Sequence, residues 1–470
     1  MFPERGKQIS IKYAPLLLIV AFGTVLRIFD LLSKSLWYDE VFSVGVSDPN
    51  NSLSEVFYKT VEDVHPPLYQ ILLWLVFQVF GYGEWEARLL SVFFGVALLP
   101  AMYCLGRKLF NQRVGLIAAL LSSVNFVFIA FSRDARSYSL LVFLGVVSFL
   151  LFFSLVEKKS FLAVLLYSAC AALLVNTHYF GVFPVMAQFM ILLYYSVRTG
   201  LDRQFFIAGG VAALAIFFSL IPLLSSMLKN FKRTGTWIKR PEESFLTEWF
   251  SLLFGSHTVA LICGVLIVFA LVKLLVLKDE KDSLKILLVW WVLGFTVAWV
   301  RSSFFTPILS FKNMAVFAPV ILILVSCGFD LVRDEAIRWI LLAFVCLMSV
   351  SYYASYPDYS KLRIEHDLRS PVKKIIDEAR NVPVYAGGIY AGYFKILGSS
   401  IRPVPYEVLE TNLMMNALPL CFYVIDLDQV RNYSGQLNAM VVERLEYQNN
   451  SIALYRGKGA VGCEPVVDIL

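Results

Sequence analysis

Charge is scarce in this sequence: Asp, Glu, Lys and Arg make up 16% of its 470 residues, against about 25% in soluble globular domains. Cysteine is scarce as well, and seven in the whole chain are too few to staple a secreted scaffold. No internal repeat and no low-complexity tract is present, which excludes a solenoid or an array. Apolar residues are abundant instead, at 58%, and the mean hydropathy is +0.69. At this length one core would not absorb so much apolar material, because a soluble surface must still be covered. A soluble enzyme, a disordered chain and a nucleic-acid binder are excluded. The class that remains is an all-α polytopic membrane protein.

Apolar runs of spanning length fall at about 12–29, 86–105, 114–131, 138–156, 161–177, 180–197, 205–224, 257–277, 286–300, 314–330 and 338–354. That predicts about eleven transmembrane helices in a domain of residues 1–355, with the two chain ends on opposite sides. Arg107, Lys108 and Arg113, then Lys158 and Lys159, Arg198 and Arg203, Lys278, Lys281 and Lys285, and Arg333 and Arg338 all fall in alternate loops. With the basic N-terminus they make a positive-inside pattern, so the N-terminus reads as cytoplasmic and the C-terminal part as periplasmic or extracellular. The membrane is the inner or plasma membrane. The first run follows Arg5, Lys7 and Lys12 and lacks a small-residue cleavage site, so it reads as an uncleaved anchor.

Residues 68–80 (LYQILLWLVFQVF) are apolar too, but counting them as a span would invert every later loop. The run is short, and Pro66-Pro67 suits a helix start. It is expected to lie in the outer leaflet as an interfacial helix within a first external loop of residues 30–85. Residues 356–470 change character: helix-like stretches (372–380, 406–417) alternate with strand-like ones (382–386, 421–425, 451–455). This predicts an external α/β domain. Its Cys421 and Cys463 would pair if it faces an oxidising compartment, while the other five cysteines sit in apolar runs.

The first loop carries Leu36-Trp37-Tyr38-Asp39-Glu40, two carboxylates in an aromatic setting directly after the first span. Alone, such a pair is an ordinary solvated start of a helix. His65-Pro66-Pro67-Leu68-Tyr69 follows at the mouth of the interfacial helix. Ser132-Arg133-Asp134-Ala135-Arg136-Ser137-Tyr138 puts two arginines outside, against the charge rule, and reads either as a solvated turn with a local ion pair or as an anion site with a second carboxylate facing Asp39. His178 again falls at the outer end of a span. Lys229, Lys232, Arg233, Lys239 and Arg240, interleaved with Phe231 and Trp237, form the largest external basic group, with Arg301 and Lys312 in the next loop. Lysine and arginine among headgroup-level aromatics suit a lipid phosphate.

The order of these motifs resembles the polyprenyl-phosphate-dependent glycosyltransferases of the GT-C superfamily. The nearest branch is the bacterial one related to protein O-mannosyltransferases and lipid A aminoarabinose transferases. Besides the motifs above, Phe80-Gly81, Arg88-Leu89 and Gly106-Arg107-Lys108-Leu109-Phe110 carry the likeness over roughly the first 140 residues. Beyond them it rests on Thr177-His178-Tyr179 and on Phe311 to Pro319. The resemblance implies a GT-C fold with Asp39 at the catalytic centre and Glu40 beside it. It implies that the residue ahead of Pro-Pro, here His65, contacts a lipid-linked donor. Lys312-Asn313 stands where family members often show Arg-Tyr.

The residues fit that chemistry. Displacing a polyprenyl phosphate releases a stable anion, so one carboxylate base for the acceptor hydroxyl and cations for the phosphate suffice. Asp39 is the expected base, with inversion, and Asp134 orients the acceptor or the surroundings of Asp39. Donor contacts are expected from His65, Tyr69, Arg133, Arg136, Tyr138, His178, Lys232, Arg233 and Lys312. A divalent cation, magnesium or manganese, at Asp39 or Glu40 is compatible, although no metal-ligand spacing demands it. The partners are membrane lipids, the donor and a lipid, glycan or protein acceptor; nucleic acid is not among them. Two alternatives predict other patterns. A transporter or flippase would place charge within spans and break helices in matching halves. An O-antigen ligase-like enzyme would carry its large loop late in the chain, whereas here the motif-rich loop comes first.

Replacing Lys232 and Arg233 together by Gln should raise KM for the lipid donor with little change in kcat, because such contacts hold ground state and transition state alike. Donor titration in nanodiscs reads this out.

Overall fold

The computed structural model describes residues 3–63, 65–158, 160–198, 203–232, 238–276, 281–355, 362, 367–378, 382–415, 417–419, 421–425, 441–447 and 450–456. Along the chain the helices are α1 (Pro3–Ile28), α2 (Tyr38–Val46), α3 (Leu53–Glu62), α4 (Leu68–Phe80), α5 (Glu84–Leu109), α6 (Gln112–Val124) and α7 (Phe126–Ser132). They continue with α8 (Tyr138–Lys158), α9 (Phe161–Thr177), α10 (Val182–Arg198), α11 (Arg203–Leu220), α12 (Leu224–Lys232), α13 (Phe245–Phe254) and α14 (His257–Val276). Then come α15 (Lys281–Leu288), α16 (Gly294–Phe304), α17 (Ala318–Asp330) and α18 (Glu335–Ala354). The tail holds α19 (Arg369–Glu378), β1 (Val384–Tyr385), α20 (Gly388–Ile396), α21 (Tyr406–Met414), β2 (Cys421–Ile425), β3 (Val441–Tyr447) and β4 (Asn450–Arg456).

The polytopic helical architecture is the expected one, with a different count. Among the described residues eight helical stretches are long and apolar enough to cross a membrane, and the bent pair α6–α7 makes a ninth. The expected spans at 12–29 and 161–177 hold the shorter apolar helices Tyr13–Ile28 and Phe161–Thr177, below the ~20 residues of an untilted span. One rod, Phe206–Asn230, outruns its expected end at 224, so Lys229 and the backbone of Lys232 are helical rather than in a loop. The side chains of Phe231 and Lys232, and all of Arg233 and Trp237, lie outside the described residues. α13 was not anticipated either; it runs within the expected loop and ends at Gly255, whose φ of 73° is left-handed.

The chain divides into two compact units. The first is 1–29, 52–72 and 88–358, and the second is 30–51, 73–87 and 359–470. This grouping departs from a linear boundary near 355, because pieces of the first loop join the tail. In the first unit the centre is the 313–330 stretch with α17, which is 89% buried, while Phe206–Asn230 and α18 are only 22% buried and form the rim. Rim positions such as Leu261, Val265, Val268 and Val272 are exposed apolar residues one to two turns apart on α14, as a lipid-facing helix requires.

In the second unit four strands run in the order β1-β2-β4-β3, with β1 parallel to β2 and the other pairs antiparallel. Tyr385, Leu409, Phe422 and Val424 are its small core. Cys421 is disulfide-bonded, and Cys463 lies outside the described residues. The loop pieces are tied to the tail by charge and polar contacts. The Arg369 guanidinium donates to the Leu32 carbonyl (2.7 Å) and the Lys34 carbonyl (3.0 Å), and it pairs with Glu84 at 2.9 Å. Tyr393 donates to the same Glu84 and accepts from the Leu36 amide at 3.1 Å. Lys395 pairs with Asp48. Within the loop, Trp74 and Gln78 of α4 donate to the carbonyls of Asn51 (2.9 Å) and Pro49 (2.7 Å).

Leu32 and Lys34 precede α4, and Glu84 follows it, yet all three meet one guanidinium. Chain points separated by ~30 Å of hydrocarbon would not share a side chain. This geometry favours an in-plane α4. Tags inserted after Asn50 and after Gly81 should therefore label from the same side of sealed vesicles; labelling from opposite sides would make α4 a span.

Candidate functional site

Within the first unit the site is built on a break in a helix. α6 and α7 meet at 61°, and Asn125 at the joint caps α7 by accepting from the Phe128 amide at 3.1 Å, while its side-chain amide donates to the Leu253 carbonyl at 2.8 Å. A break leaves the last carbonyls of α6 without intrahelical partners, and hydrocarbon offers none. Arg27 of α1 supplies them. Its side chain is fully buried and donates to the carbonyls of Ser122 (3.1 Å), Ser123 (3.1 Å) and Gly23 (2.9 Å), and to the Ser132 hydroxyl (3.2 Å). Gly95 makes the room: a Cβ there would come within 1.9 Å of the Ser132 oxygen and 3.2 Å of the Arg27 Nε. Arg27 was not among the residues expected to matter. An arginine inside the otherwise apolar run 12–29 was the signal available.

Ser132 is the last residue of α7, so this clasp fixes the start of the Arg133–Tyr138 turn. The turn is buried rather than solvated: Asp134 is 3% and Arg136 5% exposed. Its backbone is held from α4 and α5, where the buried Tyr69 hydroxyl bonds Ser91 at 2.9 Å and Ser91 donates to the Arg136 carbonyl at 3.1 Å. Arg133 remains partly exposed, stacked 5.7 Å over the Tyr353 ring. Tyr138 stacks on Phe131 (4.8 Å) and leans on His178 (5.8 Å).

Two histidines complete the group. The Arg136 guanidinium donates to His65 Nε2 at 2.8 Å, and the His65 and His178 rings lie 5.9 Å apart. His178 caps the next helical turn, its Nδ1 accepting from the Phe180 amide at 3.1 Å. Burial pushes the His65 imidazole well below its ordinary range, and Arg136, His178 and Lys312 push the same way. Burial, then Arg136, lowers His178 to about 3. Both rings are therefore neutral acceptors. His65 orients Arg136 instead of adding a charge of its own. The cations of the cluster are Arg136 and the buried Lys312, which precedes the short helical turn Asn313–Phe317. His65, Tyr69, Asp134, Arg136, Tyr138, His178 and Lys312 thus belong to one neighbourhood, with Arg133 at its edge.

Asp39 and Glu40 fall in the second unit, on the first turn of α2. The adjacent carboxylates have different surroundings. Glu40 is fully buried and accepts from the Trp37 amide at 3.2 Å, capping its own helix. Asp39 is partly exposed at the positive end of the helix, which stabilises a carboxylate. The hydrogen bond from the Leu36 amide to Tyr393 anchors the residues just ahead of it. Burial and the Glu84 carboxylate push the Tyr393 phenol up, so it stays protonated and keeps donating. Among the described residues no group of three His, Cys, Asp or Glu side chains is placed to hold a metal ion.

Residues 64–222 match a family model described as dolichyl-phosphate-mannose-protein mannosyltransferase. No curated protein matches the chain. The crystal structure of ArnT from Cupriavidus metallidurans in the apo state is 13% identical with a TM-score of 0.63, over 98% of this chain and all (100%) of that one. The same enzyme bound to undecaprenyl phosphate is 13% identical with a TM-score of 0.65, over 96% and 99%. Archaeal oligosaccharyltransferase AglB from Archaeoglobus fulgidus, in complex with an inhibitory peptide and a dolichol-phosphate, is 11% identical with a TM-score of 0.52, over 90% and 71%. The fold shared with these proteins is the GT-C fold.

A prediction follows from the neutral histidines. His178 titrates near its ordinary 6.5 when unfolded and near 3 when folded. The unfolded chain then binds more protons in that window, so the stability contribution is complete above about 6.5 and is lost as pH falls. The loss is on the order of 2 kcal/mol by pH ~5. The thermal midpoint in detergent should fall between pH 7.5 and 5, and His178→Gln should flatten that slope. An unchanged slope in the variant would remove His178 from this role.

Proposed function

We propose that this chain, a member of the GT-C superfamily, is a glycosyltransferase that moves a hexosyl or pentosyl group from a polyprenyl-phosphate donor to an acceptor hydroxyl. The observation that carries the reading is the buried group of Arg136, Lys312 and two neutral histidines at one end of the helical unit. Arg136 and Lys312 against the single carboxylate of Asp134 leave one positive charge, and in a low-dielectric setting it attracts an anion far more strongly than it would in water. The turn that bears Arg136 is fixed on three sides before any ligand arrives, so little reorganisation accompanies binding. Two of the structures that share the fold hold undecaprenyl phosphate and dolichol-phosphate, which supports a polyprenyl phosphate as the donor class here.

In this reading Asp39 takes the proton of the acceptor hydroxyl. The oxygen attacks the anomeric carbon, the bond to phosphate breaks, and the configuration inverts. The departing polyprenyl phosphate is already a stable anion, so no general acid is assigned, and its charge is met by Arg136 and Lys312. Tyr138 and Arg133 line the approach, and Asp134 is an orienting carboxylate. No step is routed through a metal ion. The reading also keeps the membrane assignment of the charge pattern: a multi-pass protein of the inner or plasma membrane, its N-terminus cytoplasmic and its second unit outside. The acceptor is a lipid, a glycan or a protein.

In vitro transfer from a panel of polyprenyl-phosphate sugars tests the activity, with Asp39→Asn as control. That variant should keep its folded yield and lose about 10²–10⁴ in rate, as removal of a catalytic base does. Wild-type turnover in Asp39→Asn would overturn the role of Asp39, and no transfer from any donor by the parent protein would overturn the function.

A further inference from the structure

A second charged group lies at the opposite end of the same unit. α10 starts just after His178 and runs 17 residues to Arg198, ~25 Å at the helical rise, so its two ends face the two membrane surfaces. At the Arg198 end, Lys285 of α15 donates to Asp282 (3.0 Å) and to the Tyr194 hydroxyl (3.2 Å), and its ammonium sits 5.3 Å from the Tyr194 ring centre. Arg198 reaches the same Tyr194 hydroxyl and the other Asp282 oxygen, each at 3.5 Å. Among the described residues of this group, two cations thus share one carboxylate, with one positive charge in excess. Directly beneath them a cleft of about 240 Å³ opens between α10 and the α15 end of the Asp282–Phe304 span, walled by Met190, Ile191, Ile286 and Val289.

We propose that this group is a binding site for an anionic phospholipid. A phosphodiester would bridge Arg198 and Lys285, and the first part of an acyl chain would fill the cleft. Three features favour a lipid over a purely internal clasp. The cations are half-exposed, with 58% and 50% of their side-chain surface open, so a second anion can reach them. Tyr194 and Tyr195 stand at the level where aromatic residues meet headgroups. The cleft is apolar and continues from the charges toward the hydrocarbon, which matches the shape of a lipid and not that of a free ion. Basic pockets between membrane helices recognise headgroups in this way. The proposal does not rest on the glycosyltransferase reading, because none of these residues belongs to the His65–Arg136 group.

The test uses the full-length protein in nanodiscs of phosphatidylcholine doped with phosphatidylglycerol, with retained lipid counted by native mass spectrometry. Wild type should retain phosphatidylglycerol above its bulk fraction. Lys285→Gln and Arg198→Gln should each weaken retention about fivefold, the worth of one basic residue at a headgroup. Asp282→Asn should strengthen retention, since it removes the carboxylate that competes with the phosphate. A clasp that only joins two helices predicts no enrichment in wild type and a lower thermal midpoint for all three variants, and that pattern would overturn the proposal. Inorganic phosphate is the control for a free anion. If it displaces phosphatidylglycerol at millimolar concentration, the acyl cleft has no part and the lipid assignment fails.

Discussion

The architecture of the helical unit depends on one buried guanidinium. Bending a membrane helix exposes backbone carbonyls to hydrocarbon, where each unsatisfied group costs several kcal/mol. The α6–α7 bend is tolerated because Arg27 reaches the carbonyls of Ser122 and Ser123 from a neighbouring helix. The dependence runs both ways, since a buried arginine needs acceptors as much as the carbonyls need donors. Another of its hydrogen bonds goes to Ser132, one residue before the Arg133–Arg136 turn. A backbone defect, the charge that stabilises it and the buried turn that bears Arg136 are therefore one construction.

Much of this fold was legible in the sequence because a bilayer imposes a single strong rule. Long apolar runs have to be helices, and the runs at 86–105, 138–156, 180–197, 257–277 and 314–330 all hold spanning helices close to their expected bounds. Composition spoke less clearly where that rule weakens. α13 is a short apolar helix within an expected loop. β3 (VVERLEY) carries three charges among seven residues, and α20 (GIYAGYFKI) contains two glycines, so neither announces its state locally. The joining of loop and tail into one unit depends on contacts hundreds of residues apart, which no local pattern encodes.

The candidate site shows the same division. Asp134, Arg136, His65, His178 and Lys312 were found from short motifs placed at one membrane face by the span count. Their individual roles were not readable, because role depends on burial and partner. His65 was expected to contact the donor, and in the structure its ring accepts a hydrogen bond from Arg136. Asp39 and Glu40 stand side by side in the sequence, and the Trp37 amide donates to Glu40 at the start of α2. Arg27 escaped notice because one arginine near the end of an apolar run reads as a flank until its partners are known.

The second unit also has a place in time. Arg369 meets Glu84 across 285 residues of sequence, and translation proceeds at roughly 5–20 residues per second. About 15 s to a minute therefore separates the emergence of Glu84 from that of its partner. During that interval the segment bearing Asp39 has left the ribosome while Arg369, Tyr393 and Lys395 do not yet exist. The surroundings of the Trp37–Glu40 motif are completed only after the last membrane helix has been made. The chain thereby couples the finishing of its earliest loop to the finishing of the whole molecule, and a nascent or truncated product carries the motif without its support.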